Sequence, residues 1–93
     1  MSRSFEIMEK LKQNVSEIDS AEDTLGNLLS APIDSDEQAD QLEELYKKIF
    51  TLAMDNSGLY EDLMEALESE EDFTRRRLSN EASKLLRVEI VTV

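Results

Sequence analysis

The sequence predicts an all-α protein, and three features of its composition support that prediction. Glycine occurs twice and proline once in 93 residues, which leaves few of the turn residues that a many-stranded sheet needs. Leucine, glutamate and alanine, which favour helices, are plentiful. Apolar residues recur at spacings of three and four, as on one face of a helix. We therefore expect one helical domain over residues 1–93, with a helical hairpin, a third helical segment and a short apolar, strand-prone C-terminal tail.

The first helix is expected over about residues 4–29. Pro32 ends it, because the residue before a proline is pushed away from helical angles. A loop over residues 30–35 follows, and Ser35 with Gln38 forms a capping box that opens the next helix. Glu22 is the one charged residue on the apolar seam predicted for the first helix. The full seam is Met8, Leu11, Val15, Ile18, Glu22, Leu25 and Leu29.

The second helix is expected over about residues 36–70. Asp55–Gly58 has the composition of a turn, but the heptad phase is the same on both sides of it. We therefore predict helix through this stretch, with a hinge at residues 55–58 as the alternative. A polar residue on a heptad seam, here Asn56, fixes register and oligomeric state in coiled coils. The sequence accordingly predicts a homo-oligomeric bundle, most simply a dimer, with this seam between copies: Leu45, Ile49, Leu52, Asn56, Leu59 and Leu63.

A third helix is expected over about residues 73–87, followed by the tail over residues 88–93. The pairs Glu71–Arg75 and Asp72–Arg76 have the four-residue spacing that favours ion pairs on a helix. The tail is rich in β-branched residues, which prefer strands. Since an exposed apolar strand promotes aggregation, we expect an assembly to cover the tail through these contact residues: Val88, Ile90, Val91 and Val93.

Several classes of chemistry are disfavoured by what the sequence lacks. It has no cysteine and no histidine, which removes disulfides, the common zinc ligand sets and the usual general base. Loops beginning at Asp34 or Asp55 fail as calcium loops, because Ala39 and Tyr60 stand where glycine is required. No phosphate-binding glycine loop or nucleophile elbow is present. The expectation is a non-enzyme without catalytic residues, cofactor or metal.

The net charge is −12, from 22 acidic and 10 basic residues. This charge argues against direct binding to nucleic acid and favours protein partners with a basic surface. No apolar run reaches the roughly 20 residues of a membrane span, and the N-terminus lacks the apolar core of a signal peptide. We expect no membrane contact and a cytoplasmic protein, in the host cytoplasm if it is viral.

Acidic residues concentrate in the second half of the long helix, where residues 55–72 carry eight acids and no base. The candidate partner-binding residues on this acidic face are Glu61, Asp62, Glu65 and Glu68. Rows of carboxylates can imitate the phosphates of DNA and occupy a basic groove. The alternative interpretation is a solvated run of charge on a surface helix.

The main basic cluster has two possible roles. Arg75, Arg76 and Arg77, with Lys84 nearby, are candidates to bind phosphate or an acidic partner. The alternative is that they neutralise the acidic block that precedes them.

Three functional hypotheses follow from these observations. The preferred one is an adaptor or inhibitor, such as a viral product, whose acidic face engages a basic site on a partner. The second is a structural assembly subunit or chaperone-like factor that binds another helical protein. The third is a sponge for a small ligand, held by the basic cluster at a subunit interface.

Overall fold

The structure, a computed structural model, describes residues 2–85. It contains three helices, α1 (Arg3–Leu29), α2 (Asp36–Leu67) and α3 (Asp72–Leu85), and no strand within the described range. The all-α prediction is therefore confirmed. The predicted contacts of Val88, Ile90, Val91 and Val93 lie outside the described residues.

Side-chain caps define where α1 and α2 begin. The Ser2 hydroxyl accepts a hydrogen bond from the Phe5 backbone N–H at 3.3 Å. The Ser35 hydroxyl accepts one from the Gln38 backbone N–H at 3.2 Å. Gln38 reaches back, but its side-chain oxygen accepts from the backbone N–H of Asp34, at 3.0 Å, one residue before the cap. The predicted capping box is thus present with its return bond displaced by one residue.

α2 is a single helix of 32 residues that runs through Asp55–Gly58 without a break. Neither glycine of the chain has a positive φ angle, so Gly58 has an ordinary helical backbone. α2 ends at Leu67 rather than near residue 70. There, the Ser69 hydroxyl donates to the carbonyl of Ala66 at 3.0 Å and closes a turn. The prediction of one long helix is confirmed in its course and shortened at its end.

Replacing Gly58 with alanine should raise the free energy of unfolding by about 1 kcal/mol, because alanine has the higher helix propensity. A Cβ atom at this position would meet no atom within 4 Å, so the gain is not offset by a clash. Urea denaturation followed by circular dichroism measures the change. Ser57→Ala is the matched control, and it should gain about half as much. A loss of stability in Gly58→Ala would show that the chain bends at this residue.

The hydrophobic core lies at one end of the hairpin, where α3 packs across α1 and α2. We call this the three-helix end, formed by residues 2–14 and 56–85. Its core cluster takes residues from all three helices: Ile7, Met8, Leu11, Leu63, Ala66, Leu67, Leu78 and Ala82. Burial of large apolar side chains contributes about 1.5–3 kcal/mol each, so this cluster dominates the stability of the fold.

The remaining part of the hairpin, residues 15–55, is a two-helix end that α3 does not cover. No residue of α2 from Asp36 to Asp55 is buried, whereas α1 buries Ile18 and Ala21 there. The molecule measures 55 × 21 × 19 Å and its radius of gyration is 16.3 Å. A compact domain of this length has a radius of gyration near 12 Å. The protein is therefore elongated, with its core at one end.

The seam of α1 agrees with the predicted one at Met8, Leu11 and Ile18, which are buried, and departs from it at Glu22 and Leu29, which are exposed. Glu22 is exposed and Ala21 is buried, so placing Glu22 on the seam was wrong. A second line of residues along α1 shares Leu11, Ile18 and Leu25 with the predicted seam. The spacing of apolar residues alone therefore did not separate the two lines. Besides Met8, the buried and partly buried residues along this second line are Ser4, Ile7, Leu11, Asn14, Ile18, Ala21, Leu25 and Leu28.

Candidate protein-binding site

The four candidate acidic residues lie together at the end of α2, with Glu61, Asp62 and Glu65 inside the helix and Glu68 at its C-cap. Glu61, Asp62, Glu65 and Glu68 are all exposed, while Leu63, Ala66 and Leu67 between them are buried. Their spacings of three and four place them on neighbouring turns of the outer surface of the helix. We call this group the acidic end of α2. The structure thus brings together the acidic residues that the sequence singled out.

The acidic end of α2 has no cationic partner within residues 2–85. Ion pairs in this range join Lys12 to Glu9, Lys47 to Glu43, Arg75 to Asp72, and Arg77 to Glu81. Arg3 lines a shallow surface hollow with Glu65 and Glu68 but forms no ion pair with them. The charge of this surface is therefore directed at solvent.

Two of these acids, Glu65 in the last turn of α2 and Glu68 at its C-cap, are unfavourably placed for the helix. The C-terminal end of a helix has a partial negative charge, and a nearby carboxylate there is destabilised by a few tenths of a kcal/mol to about 1 kcal/mol. Like charges four residues apart, such as Glu61 and Glu65, add a similar small penalty. No basic residue occurs in the last turn of α2 to offset either effect. Helix stability therefore does not account for the acidic end.

The basic cluster on α3 is largely engaged with acids of the same helix. Arg75 pairs with Asp72, and Arg77 Nε lies 3.9 Å from Glu81 Oε1. The pairs predicted for Glu71 with Arg75 and for Asp72 with Arg76 are wrong. α3 begins at Asp72, so Glu71 precedes it, and Arg75 instead pairs three residues back. Arg76 is exposed and Lys84 lies in the last turn, so ligand binding by this cluster stays a prediction.

The predicted oligomer seam of α2 faces the chain's own hairpin at the three-helix end. Asn56 and Leu63 are fully buried within the chain, and Leu63 belongs to the core cluster. The other members, Leu45, Ile49, Leu52 and Leu59, are partly buried. Their assignment to an interface between copies stays a prediction.

Two buried polar side chains lack hydrogen-bond partners among the described residues. They are Asn56, through both its amide nitrogen and its oxygen, and Ser4, through its hydroxyl. The sequence identified Asn56 on the seam but missed Ser4. The signal that would have found Ser4 is its spacing of three and seven from Ile7 and Leu11.

Other kinds of site are not formed by the described part of the chain. Within residues 2–85 no group of three or more acidic side chains is arranged to hold a metal ion. Nor does α1, α2 or α3 contain an apolar stretch long enough to cross a bilayer. Comparison of the chain with protein-family models, with curated proteins and with solved structures finds no match. Function must therefore be argued from the surfaces themselves.

Proposed function

We propose that the protein is a non-catalytic adaptor or inhibitor that engages a basic site on a protein partner through the acidic end of α2. One observation supports this most: four exposed carboxylates lie close together without an ion pair among residues 2–85, and two of them, Glu65 and Glu68, stand at the negative end of α2. A cationic partner would relieve both the helix-dipole penalty and the repulsion between the acids. The unfavourable placement in the free protein thus becomes favourable in the complex.

The partner class follows from the same arrangement. Glu61 and Glu68 are seven residues apart, which places them about 10 Å apart along the axis of a helix. Arginine side chains on a partner would form charge-assisted hydrogen bonds with such a row of carboxylates. A basic groove that otherwise holds nucleic acid has this chemistry. An inhibitor of that kind would compete with DNA or RNA for its target.

Neutralising the acidic end tests the proposal. The variant E61Q/D62N/E65Q/E68Q should bind a nona-arginine peptide at least about tenfold more weakly than the unaltered protein, because four charge contacts are removed. Isothermal titration calorimetry at physiological salt measures this. The matched control is D36N/E37Q/D40N/E44Q, which removes the same charge from the first turns of the same helix. The control should weaken binding about twofold, through the loss of net charge alone.

Equal weakening in the two variants would contradict the proposal, since it would reduce the interaction to net charge. Stability supplies a second readout. The acidic-end variant should unfold at higher urea concentration than the unaltered protein, because it loses unfavourable charges at a helix C-terminus. The control should unfold at lower urea concentration, since Asp36 and Glu37 lie favourably in the first turn of α2.

The second hypothesis, an assembly factor that binds another helical protein, is favoured by a different observation. Apolar side chains at the two-helix end are exposed, including Tyr46, Phe50 and Met54. Exposed apolar patches on a small protein mark interaction surfaces. This surface is separate from the acidic end of α2, so the two functions can be tested independently.

A further inference from the structure

The two-helix end has an apolar wall on α2 that nothing in residues 2–85 covers. Tyr46 is 51% exposed and Phe50 is 68% exposed, and Ala53, one turn further, is partly buried. Exposed aromatic side chains of this size add to the free energy of the free protein and gain from burial in a complex.

The same face of α2 is covered at the three-helix end. Tyr60, Met64 and Leu67 follow Tyr46, Phe50 and Ala53 by fourteen residues each, which is two heptads. Residues seven apart lie on nearly the same side of a helix. Leu67 belongs to the core cluster that includes Leu78 and Ala82 of α3, and Tyr60 and Met64 pack against that cluster. The uncovered wall therefore continues the wall on which α3 packs.

The facing wall on α1 changes character between the two ends. At the three-helix end Phe5, Met8 and Glu9 line a groove with Phe73 and Leu78 of α3. The residues fourteen positions later are three acids, and all three are exposed: Asp19, Glu22 and Asp23. The equivalent groove at the two-helix end is therefore acidic on α1 and apolar on α2.

These two walls stand at the same level of the hairpin. Asn14 of α1 lines a hollow with Asp55 and Gly58 of α2. Thr24 and Leu28 line another with residues 37–45. Because the helices are antiparallel, residues 19–23 lie opposite residues 46–53. We call the surface formed by Tyr46, Phe50, Ala53, Asp19, Glu22 and Asp23 the open groove.

α3 shows what kind of element such a groove accepts. It is an amphipathic helix of 14 residues that buries Leu78 and Ala82. It carries four basic residues, Arg75, Arg76, Arg77 and Lys84, against two acidic ones, Asp72 and Glu81. At the open groove the acidic wall makes a basic helix still more favourable. We propose that the open groove binds a basic amphipathic helix of a partner protein, which extends the row occupied by α3.

Charge decides against two other occupants. A second copy of the chain brings a net charge of −12 to an acidic groove, and its own basic helix is already packed. Residues 86–93 of the same chain carry one arginine and one glutamate, so they offer no net positive charge. A basic helix satisfies both walls, with apolar residues against α2 and lysine or arginine against α1.

The probe is a synthetic peptide of about 18 residues, with leucines at helical spacing on one face and lysines on the other. A scrambled peptide of the same composition controls for non-specific charge attraction. Fluorescence anisotropy of the labelled peptides should show binding of the amphipathic peptide about tenfold tighter than that of the scrambled one.

Single exposed phenylalanines provide a matched pair of variants. Phe50→Ser should weaken binding of the amphipathic peptide about tenfold. Phe73→Ser, at a position 75% exposed at the three-helix end, should leave binding within about twofold. Both sites are exposed, so neither substitution removes core packing. The acidic-end variant E61Q/D62N/E65Q/E68Q should retain the tenfold preference for the amphipathic peptide, which separates this proposal from the proposed function.

Four results would overturn the proposal. Equal binding of the two peptides, or equal effects of the two phenylalanine substitutions, would leave only charge attraction. A dimer in light scattering that Phe50→Ser dissociates would assign the groove to a second copy. Binding of the peptide only after deletion of residues 86–93 would assign it to the chain's own C-terminal segment.

Discussion

Leu63→Ala should lower the free energy of unfolding by about 2–5 kcal/mol, the range for removal of a buried leucine side chain. Leu63 is fully buried and contacts the cluster that joins all three helices. Total stabilities of small domains are about 5–15 kcal/mol, so this one change removes a large share. Urea denaturation monitored by circular dichroism measures the effect.

Leu42→Ala is the control, because Leu42 occupies the same heptad position three repeats earlier and is only partly buried. It should destabilise the protein by about 1 kcal/mol, as expected for a leucine that loses part of its surface on folding. Equal losses at the two positions would show that the two-helix end is as well covered in solution as the three-helix end. That result would contradict an uncovered groove at Tyr46 and Phe50.

Asn56→Leu should raise the free energy of unfolding by about 1–3 kcal/mol. The Asn56 side chain is fully buried, and neither of its polar atoms has a hydrogen-bond partner among residues 2–85. Leaving such groups unsatisfied costs roughly this amount, which leucine avoids. Thermal unfolding should show an increase of several degrees in Tm.

Asn80→Leu controls for helix propensity, because Asn80 is exposed on α3. It should gain only a few tenths of a kcal/mol. A loss of stability in Asn56→Leu would mean that the amide is satisfied by a polar group, as in the polar layer of an oligomer. Light scattering on both variants at the same concentration distinguishes that case, since a polar seam residue specifies the number of chains.

The parts of the fold that local chemistry determines were predictable from the sequence. Pro32 ends α1 and the hydroxyl of Ser35 starts α2, because each acts on its immediate neighbours. The course of α2 through Asp55–Gly58 followed from the heptad phase, which a turn would have no reason to preserve. These elements need no information about the rest of the chain.

The parts that depend on packing were not predictable in the same way. The α1 seam was misplaced at Glu22, since Ala21 beside it is the buried residue, whereas Met8 on the predicted seam is buried and lines a groove with residues of α3. A pattern read on one helix cannot say which of two neighbours buries a given side chain. For the same reason the sequence placed Glu22 on the seam as its one charged residue. In the structure Glu22 belongs to the acidic wall of the open groove.

The candidate site likewise has features that were predictable from the sequence and features that were not. The exposure of Glu61, Asp62, Glu65 and Glu68 followed from their position opposite the seam of α2. Their lack of ion-pair partners could not be predicted from the sequence, because it depends on where the arginines of α3 lie. Arg75 and Arg77 pair with acids of their own helix, so the acidic end of α2 keeps its charge. The sequence alone suggested that these arginines neutralise the preceding acidic block.

Mapping a basic ligand on the unaltered protein tests the central claim most directly. In an NMR titration of the ¹⁵N-labelled protein with nona-arginine, backbone amide shifts should be largest in residues 61–68. The other acidic surfaces, residues 17–23 and 36–44, should move much less, because neither lies at a negative helix end and nona-arginine lacks the apolar residues that the open groove requires. Shifts of equal size on all three acidic surfaces would contradict the claim that the acidic end of α2 is the binding site.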